Sequence, residues 1–246
     1  MQYSKLVEVY EKLDATTKRL SYTDIISEFL KGVSIEDLGS VILLLEGRIF
    51  PRHDEREIGI ASKIMLKAIG VASGESISRI NDEWKKTGDL GTVTYNLIKK
   101  KKQVTLSSQN LTLSKILKNL RQLSKIEGLG SIDKKIQLIA ELLTSAKPNE
   151  AKYIVRTILN DMRIGVGEGT IRDSIVWAFF GDKLKINYLK EENKIEIEER
   201  EEYTKYQDAV QKAYDLKNDF SPVAEIAKKS GLSGLEKIDM DIGSPI

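Results

Sequence analysis

Apolar side chains recur at helical spacing along almost the whole chain, and this periodicity constrains the fold more than any other feature of the sequence. Only four of the 246 residues are prolines, so few positions lack the backbone N–H that a long helix needs. Hydrophobic residues make up 41% of the chain, which is enough to build a core and excludes disorder as the main state. The sequence therefore predicts a compact all-α fold of many helices.

Start and stop signals place the individual helices. Ser34 is expected to cap a helix that runs through Leu45, because serine is a good N-cap and acidic residues suit the first turn. Ser221-Pro222 predicts a second helix start. Glycines lie where helices should end, at Gly32, Gly47, Gly70 and Gly128. Further helices are predicted at residues 60–69, 76–86, 90–101, 112–126, 132–145, 149–161, 169–180, 202–217 and 221–230.

One segment departs from the helical pattern. Residues 185–188 and 194–198 alternate with period two around a polar Glu-Glu-Asn turn, which predicts a small β-hairpin insertion near residues 185–198. No linker rich in Gly, Ser or Pro divides the chain, and no convincing repeat is found. Residues 1–236 are therefore predicted to form one helical domain.

The residue types that are missing exclude several kinds of site. The chain has no Cys and one His, His53, which excludes disulfides, Cys nucleophiles and metal sites built from several His or Cys. Paired catalytic carboxylates cannot be recognised among its charge-mixed helices. The apolar runs are far shorter than the ~18 residues of a membrane span, and the first residues do not resemble a signal peptide. We expect a soluble, cytoplasmic monomer.

Positive charge is concentrated in one part of the chain. Residues 85–135 carry twelve basic and three acidic side chains, a local charge of +9 in a chain whose net charge is +2. Such an excess suits a surface that binds a polyanion, although an ordinary solvated helix face in a lysine-rich protein can have the same composition.

Three short turns that contain glycine each precede a helix start, at residues 87–91, 127–131 and 163–170. A helix N-terminus presents free N–H groups and the positive end of the helix dipole, and glycine lets a phosphate approach the backbone closely. Each turn is therefore a candidate phosphate site, and an ordinary connection between helices is the alternative for any one of them. The second turn, Gly-Leu-Gly followed by two lysines, looks like the turn of a helix-hairpin-helix, which binds the DNA backbone without regard to sequence.

The candidate DNA-binding residues lie in these turns and on the helices beside them. They are Gly88, Asp89, Gly91, Gly130, Ser131, Lys134, Lys135, Arg156, Arg163, Gly165, Gly167 and Thr170. Arg156 has a second interpretation, as a buried structural partner, because long basic side chains often pack their stems inside a protein.

Residues 150–156 (Glu-Ala-Lys-Tyr-Ile-Val-Arg) and 162–168 (Met-Arg-Ile-Gly-Val-Gly-Glu) are the most distinctive stretch of the chain. Further distinctive pieces occur at residues 45–51, 57–60, 88–91, 131–135 and 241–246. In this order they resemble the DNA-binding domain of ATP-dependent DNA ligases, most closely the archaeal and eukaryotic replicative type. The resemblance covers nearly the whole chain.

The resemblance implies an all-helical domain with internal pseudo-symmetry that grips duplex DNA in the minor groove on both sides of a nick. It implies that a parent enzyme uses ATP and Mg²⁺ to seal nicks in replication and repair, with its nucleotidyltransferase and OB-fold domains completing a ring around the DNA. The family's nucleophilic lysine lies in a Lys-x-Asp-Gly motif, and this chain contains no Asp-Gly. The resemblance therefore implies a fragment with no catalytic residues and no cofactor of its own, in which residues 237–246 begin a linker to the absent catalytic core.

Two departures from the family pattern are visible. Asn160-Asp161 stands where the family usually has Gly-Lys, which removes one basic contact. Some archaeal members carry a sliding-clamp box where residues 103–108 lie, and here that stretch keeps Gln103 but lacks the paired aromatic residues. A sliding-clamp contact at this stretch is a further hypothesis. A helical protein-binding scaffold and a helix-hairpin-helix DNA repair subunit are the alternative functions.

Overall fold

A computed structural model of the protein describes residues 1–100 and 110–238. Within these residues the chain forms twelve helices and one small antiparallel hairpin, which confirms the predicted all-α fold and its β insertion. The elements are α1 (Tyr3–Asp14), α2 (Arg19–Lys31), α3 (Ile35–Leu45), α4 (Ser62–Ser73), α5 (Ile77–Thr87), α6 (Leu90–Lys100), α7 (Leu113–Leu123), α8 (Ser131–Ser145), α9 (Pro148–Ile158), α10 (Glu168–Phe180), β1 (Asn187–Leu189), β2 (Lys194–Glu196), α11 (Arg200–Lys217) and α12 (Phe220–Leu235). The stretch 103–108, where a clamp contact was expected, lies outside the described residues.

The helices pack into two compact units. The first unit contains residues 1–7 and 56–163, and the second contains residues 8–55 and the described residues from Ile164 onward. Helix α1 therefore begins in one unit and ends in the other. The sequence predicted one domain and did not predict this division, because no change of composition marks any of the three boundaries.

In the first unit, two helix pairs form most of the core: α6 packs on α9, and α4 packs on α8. Helix α7 packs beside α8 and buries one side of its surface, which includes Ile116 and Leu120. The chain start fixes the beginning of α7, because the N–H of Tyr3 donates to the carbonyl oxygen of Leu111 at 2.8 Å and the N–H of Leu113 donates to that of Met1 at 3.0 Å. These contacts hold α7 and α8 as a helical hairpin.

In the second unit, α10 packs on α2 and α12 packs on α3, while α11 lies against both α10 and α12. The buried side chains of α10 include Ile171, Ile175 and Trp177. Because α10 is held on three sides, the position of its N-terminus is fixed by the core rather than by the loop before it.

Two helix boundaries differ from the sequence predictions. Helix α4 continues through Gly70 to Ser73 and ends at Gly74, so the prediction that Gly70 ends this helix is wrong. Helix α12 begins one residue before Ser221, because Asp219 is the cap and its Oδ1 accepts the Ser221 N–H at 2.8 Å. Both errors have the same cause: a second good capping residue lies nearby in the sequence.

Candidate nucleic-acid interface

The first candidate turn connects α5 and α6 and is stabilised from within. Gly88 ends α5 with a left-handed backbone (φ 67°), and its N–H donates to the Trp84 carbonyl oxygen at 2.7 Å. Asp89 caps α6, because its carboxylate accepts the N–H of Gly91 at 2.9 Å and the N–H and hydroxyl of Thr92 at 3.2 and 2.6 Å. The N–H groups of Gly88 and Gly91 therefore have acceptors inside the protein, and the expectation that they are open to a phosphate is wrong.

Arg156 reaches this turn from α9 and pairs with Asp89. Its Nη2 lies 2.8 Å and its Nε 3.2 Å from Oδ2 of Asp89, and the two side chains are only 6% and 7% exposed. Burial by itself raises the pKa of Asp89, but hydrogen bonds from Arg156 and Thr92 outweigh burial and lower the pKa to about 2. The structure therefore shows Arg156 as the buried structural partner, the second of its two interpretations.

Gly91 allows α6 and α9 to approach closely. A Cβ atom at this position would lie 2.8 Å from the carbonyl oxygen of Lys152 and 2.8 Å from Cγ of Arg156, closer than real Cβ contacts. The space in front of Gly91 is therefore filled by α9, and helix packing explains why glycine stands here.

Arg163 contacts the same turn from the segment that follows α9. Its Nη2 donates to the carbonyl oxygen of Gly88, and its Nε pairs with Asp161 at 3.0 Å. The side chain remains 40% exposed. Asn160 and Arg163 both have a left-handed backbone (φ 53° and 57°), which glycine adopts most easily and asparagine tolerates. The Asn160-Asp161 departure thus keeps the turn and gives Arg163 an acidic neighbour.

The second candidate turn, residues 127–131, lies between the end of α7 and the start of α8 and is exposed at its tip. Gly128 and Gly130 both have left-handed backbones (φ 83° and 76°), and beyond their chain neighbours no atom of residues 1–100 or 110–238 lies within 4 Å of where their Cβ atoms would be. The N–H of Ser131 donates to the Gly128 carbonyl oxygen at 3.2 Å, whereas the N–H groups of Ile132 and Asp133 find no acceptor among the described residues. The N-terminus of α8 therefore presents two free N–H groups at the surface.

Cations surround this second turn. Lys134 is exposed in the first turn of α8 and Lys135 is half-buried beside it, and within the described part of the chain neither forms an ion pair. Spacings of three and four residues place further cations along one side of α7 and its end: Lys115, Lys118, Arg121 and Lys125. We call residues 113–135 the basic hairpin; Glu127 and Asp133 are the acidic residues in it.

The third candidate turn leads into α10 in the second unit. Gly167 is the N-cap, and the Thr170 N–H donates to its carbonyl oxygen at 2.9 Å, while Glu168 and Gly169 offer N–H groups that have no acceptor among the residues described. Arg19 of α2 lies beside this helix end, because its Nη2 is 2.8 Å from where a Cβ of Gly169 would be. The third turn therefore combines a helix N-terminus with a cation that comes from another element.

A buried carboxylate, Glu46, lies in the same unit near α10. Its side chain is 6% exposed, and its Oε1 has no hydrogen-bond partner in the described structure. The nearest cation is Nη2 of Arg52 at 3.6 Å, and Arg52 is shared with Glu168 in the first turn of α10. Burial raises the pKa of Glu46 to about 7, and the charge of Arg52 only partly offsets that effect.

The pH dependence of stability should report this group. The folded-state pKa of Glu46 lies above its ordinary value of 4.5, so folding binds a proton and stability falls as the pH rises from about 4.5 to above 7. Glu46→Gln imitates the protonated form. We expect its free energy of unfolding to exceed that of wild type by about 1–3 kcal/mol at pH 8 and by little at pH 5. Urea denaturation at both pH values measures the difference. An equal effect at both would contradict the raised pKa.

Neither a candidate metal site nor a candidate membrane span is found among the described residues. In residues 1–100 and 110–238, no cluster of three or more His, Asp or Glu side chains is arranged to hold a metal ion. None of the helices there is both long and apolar enough to cross a membrane.

Sequence reasoning missed several residues of these sites. Arg19 lies about 150 positions before α10, and no local motif connects the two. Leu129 and Ile132 are exposed at the tip of the basic hairpin, although apolar residues are usually expected inside. The signal that could have found them is their place next to Gly128 and Gly130, where the chain turns outward.

The chain is similar to known proteins over its whole length. The family described as DNA ligase N terminus matches residues 2–176. The whole chain aligns with the DNA ligases of Methanobrevibacter smithii at 39% identity, of Thermococcus fumicolans at 37% and of Archaeoglobus fulgidus at 35%. It spans about 40% of the length of each of these relatives.

Proposed function

The chain belongs to the DNA ligase N-terminus family, and from that premise we propose that it binds duplex DNA through its backbone phosphates, whatever the base sequence. The binding site faces the minor groove at a nick, and the full-length protein is an ATP-dependent DNA ligase that seals nicks in replication and repair. ATP and Mg²⁺ would act in parts of that enzyme other than this chain.

The observation that carries the proposal is the N-terminus of α8 in the basic hairpin. Two free N–H groups there, on Ile132 and Asp133, point to solvent beside Lys134 and Lys135, which have no ion pair within the described chain. Free N–H groups at the positive end of a helix bind phosphate well, and unpaired lysines release counterions when they neutralise it. The cations of α7 extend the same positive surface.

The N-terminus of α10 supplies a second phosphate site, although its cation, Arg19, also pairs with Asp173 at 3.0 Å. The free N–H groups of Glu168 and Gly169 and the guanidinium of Arg19 form this site. Arg163 adds an exposed cation in the first unit. The residues proposed to lie at or beside DNA are then Gly130, Ser131, Lys134, Lys135, Arg163, Gly165, Gly167 and Thr170. By contrast, Gly88, Asp89, Gly91 and Arg156 join α6 to α9 within the first unit.

Backbone N–H groups and lysines read charge rather than bases. Contacts of this kind fix the position of a protein on the duplex and carry no sequence information, which suits a protein that acts at nicks in any sequence. We therefore expect similar affinities for unrelated sequences of equal length.

A fluorescence anisotropy titration tests this function. Nicked, intact and single-stranded DNA of the same length would be titrated with the chain at two or more salt concentrations. If about five phosphates are neutralised, the slope of log K against log salt should be roughly −4 to −5 on duplex DNA. Affinity that does not respond to salt, or that favours single strands over both duplexes, would contradict the proposal.

A further inference from the structure

The tip of the basic hairpin carries an apolar side chain that the phosphate contacts do not use. Leu129 is fully exposed, with a relative accessibility of 104%, and Ile132, next to it at the start of α8, is 52% exposed. A leucine so fully in water contributes nothing to the hydrophobic core, and a complex that covered it would gain the free energy of burying its apolar surface.

The tip is also narrow. Leu129 stands between Gly128 and Gly130, which have no side chains, and nothing in the described part of the chain beyond their neighbours lies within 4 Å of either Cβ position. The left-handed backbones of both glycines fix the turn in which Leu129 projects. The hairpin therefore ends in one apolar side chain on a thin, defined loop.

The charges around the tip indicate which class of partner it binds. Lys125 precedes the turn and Lys134 and Lys135 follow it, while Glu127 and Asp133 are the two acidic residues near the tip, so the net charge around the apolar group is positive. A membrane span or a purely apolar protein groove would leave these cations unpaired, whereas a polyanion pairs them. In a nucleic-acid duplex the apolar surface lies behind the phosphates, on the sugars and bases inside a groove.

The minor groove fits this tip better than the major groove. It is about 6 Å wide, which excludes a helix but admits a thin loop, and its phosphates lie on both rims. Proteins that bind there often insert an apolar side chain between base pairs, which partly unstacks a step and bends the duplex. We propose that Leu129 is such a wedge: it enters the minor groove and partly unstacks one base step while the N–H groups and lysines of α8 hold the adjacent phosphates.

This inference rests on the proposed function, since it needs the basic hairpin to lie on duplex DNA. The Leu129 wedge adds an apolar contact that salt does not weaken. It also adds a distortion of the DNA that phosphate contacts alone do not produce. The two ideas therefore predict different measurements.

The test uses the chain and nicked duplexes that carry 2-aminopurine at successive positions around the nick, since the fluorescence of this base rises when its stacking is lost. Wild type at saturation should raise the fluorescence at one or two positions. Leu129→Ala should leave the fluorescence at the level of free DNA, lower the affinity several-fold and keep the salt slope unchanged, because no phosphate contact is removed. The fold should be unaffected, since this side chain contacts no core.

Ile35→Ala is the matched control. Ile35 is also an exposed apolar residue, at 38%, but it is followed by Glu36 and Asp37, so DNA is not expected there. This variant should behave as wild type in both affinity and fluorescence.

The possible results distinguish the Leu129 wedge from the proposed phosphate binding on which it rests. Salt-dependent binding of wild type with no rise of fluorescence at any position, or an equal rise with Leu129→Ala, would overturn the wedge and leave phosphate binding intact. A wild-type chain that does not bind duplex DNA would overturn both, and the anisotropy titration would already have shown it.

Discussion

Replacing Asp89 by alanine should lower the free energy of unfolding by about 3–5 kcal/mol, the largest stability effect that we expect from one substitution in this chain. The variant leaves the Arg156 guanidinium buried and unpaired, because that side chain is only 6% exposed. It also removes the carboxylate that caps α6 through the N–H groups of Gly91 and Thr92, and a lost cap costs about 1 kcal/mol by itself. Urea denaturation followed by circular dichroism measures the change.

Asp82→Ala is the control for this prediction. Asp82 also pairs with a cation, Lys85 at 3.7 Å, but both side chains are more than half exposed, so the variant should lose less than about 1 kcal/mol. If the two variants lose similar amounts, the buried pair does not hold α6 and α9 together as described.

The stability of the wild-type chain at low pH should also depend on the Asp89–Arg156 pair. The folded-state pKa of Asp89, about 2, lies below its ordinary value of 3.8, so its contribution to stability is complete above pH 4 and is lost as the pH falls towards 2. The loss should be absent from the Asp89→Ala variant.

The sequence was sufficient for the fold class and for the features that depend on neighbouring residues. Helical periodicity predicted α3 to α12 with small shifts at their ends, and the alternation around residues 190–193 predicted the hairpin in which Tyr188 pairs with Ile195. The Gly-Leu-Gly turn was identified from local pattern alone, because the two glycines and the following lysines lie within eight residues. Helices α1 and α2 were not placed individually.

Features that depend on distant residues could not be predicted. Asp89 and Arg156 are 67 positions apart, and only the packing of α6 on α9 brings them together. By sequence alone the first turn looks like the second one, since both combine glycines with a helix start. The difference is that the Asp89 carboxylate accepts N–H groups at the start of α6, whereas no side chain among the described residues caps the start of α8.

Replacing both Lys134 and Lys135 by alanine should give the largest effect on DNA binding. Each lysine that neutralises a phosphate adds about 0.9 to the salt slope, so losing two should weaken binding to duplex DNA by roughly 10–60-fold at 0.1 M salt. The loss should be the same on unrelated sequences, because the contacts are to phosphates. Stability should change little, since neither lysine forms an ion pair within the described residues.

Lys63→Ala with Lys67→Ala provides the matched control. It removes the same charge from the same unit, and both lysines are exposed on α4, outside the basic hairpin. A general effect of net charge would weaken binding equally in both double variants.

The measurement that tests the central claim most directly is therefore the salt slope of duplex binding for wild type and these two double variants. We predict roughly −4 to −5 for wild type and for the α4 variant, and roughly −2 to −3 for the variant at the start of α8. Equal slopes for all three chains would show that the phosphates are held elsewhere and would contradict the assignment of the basic hairpin.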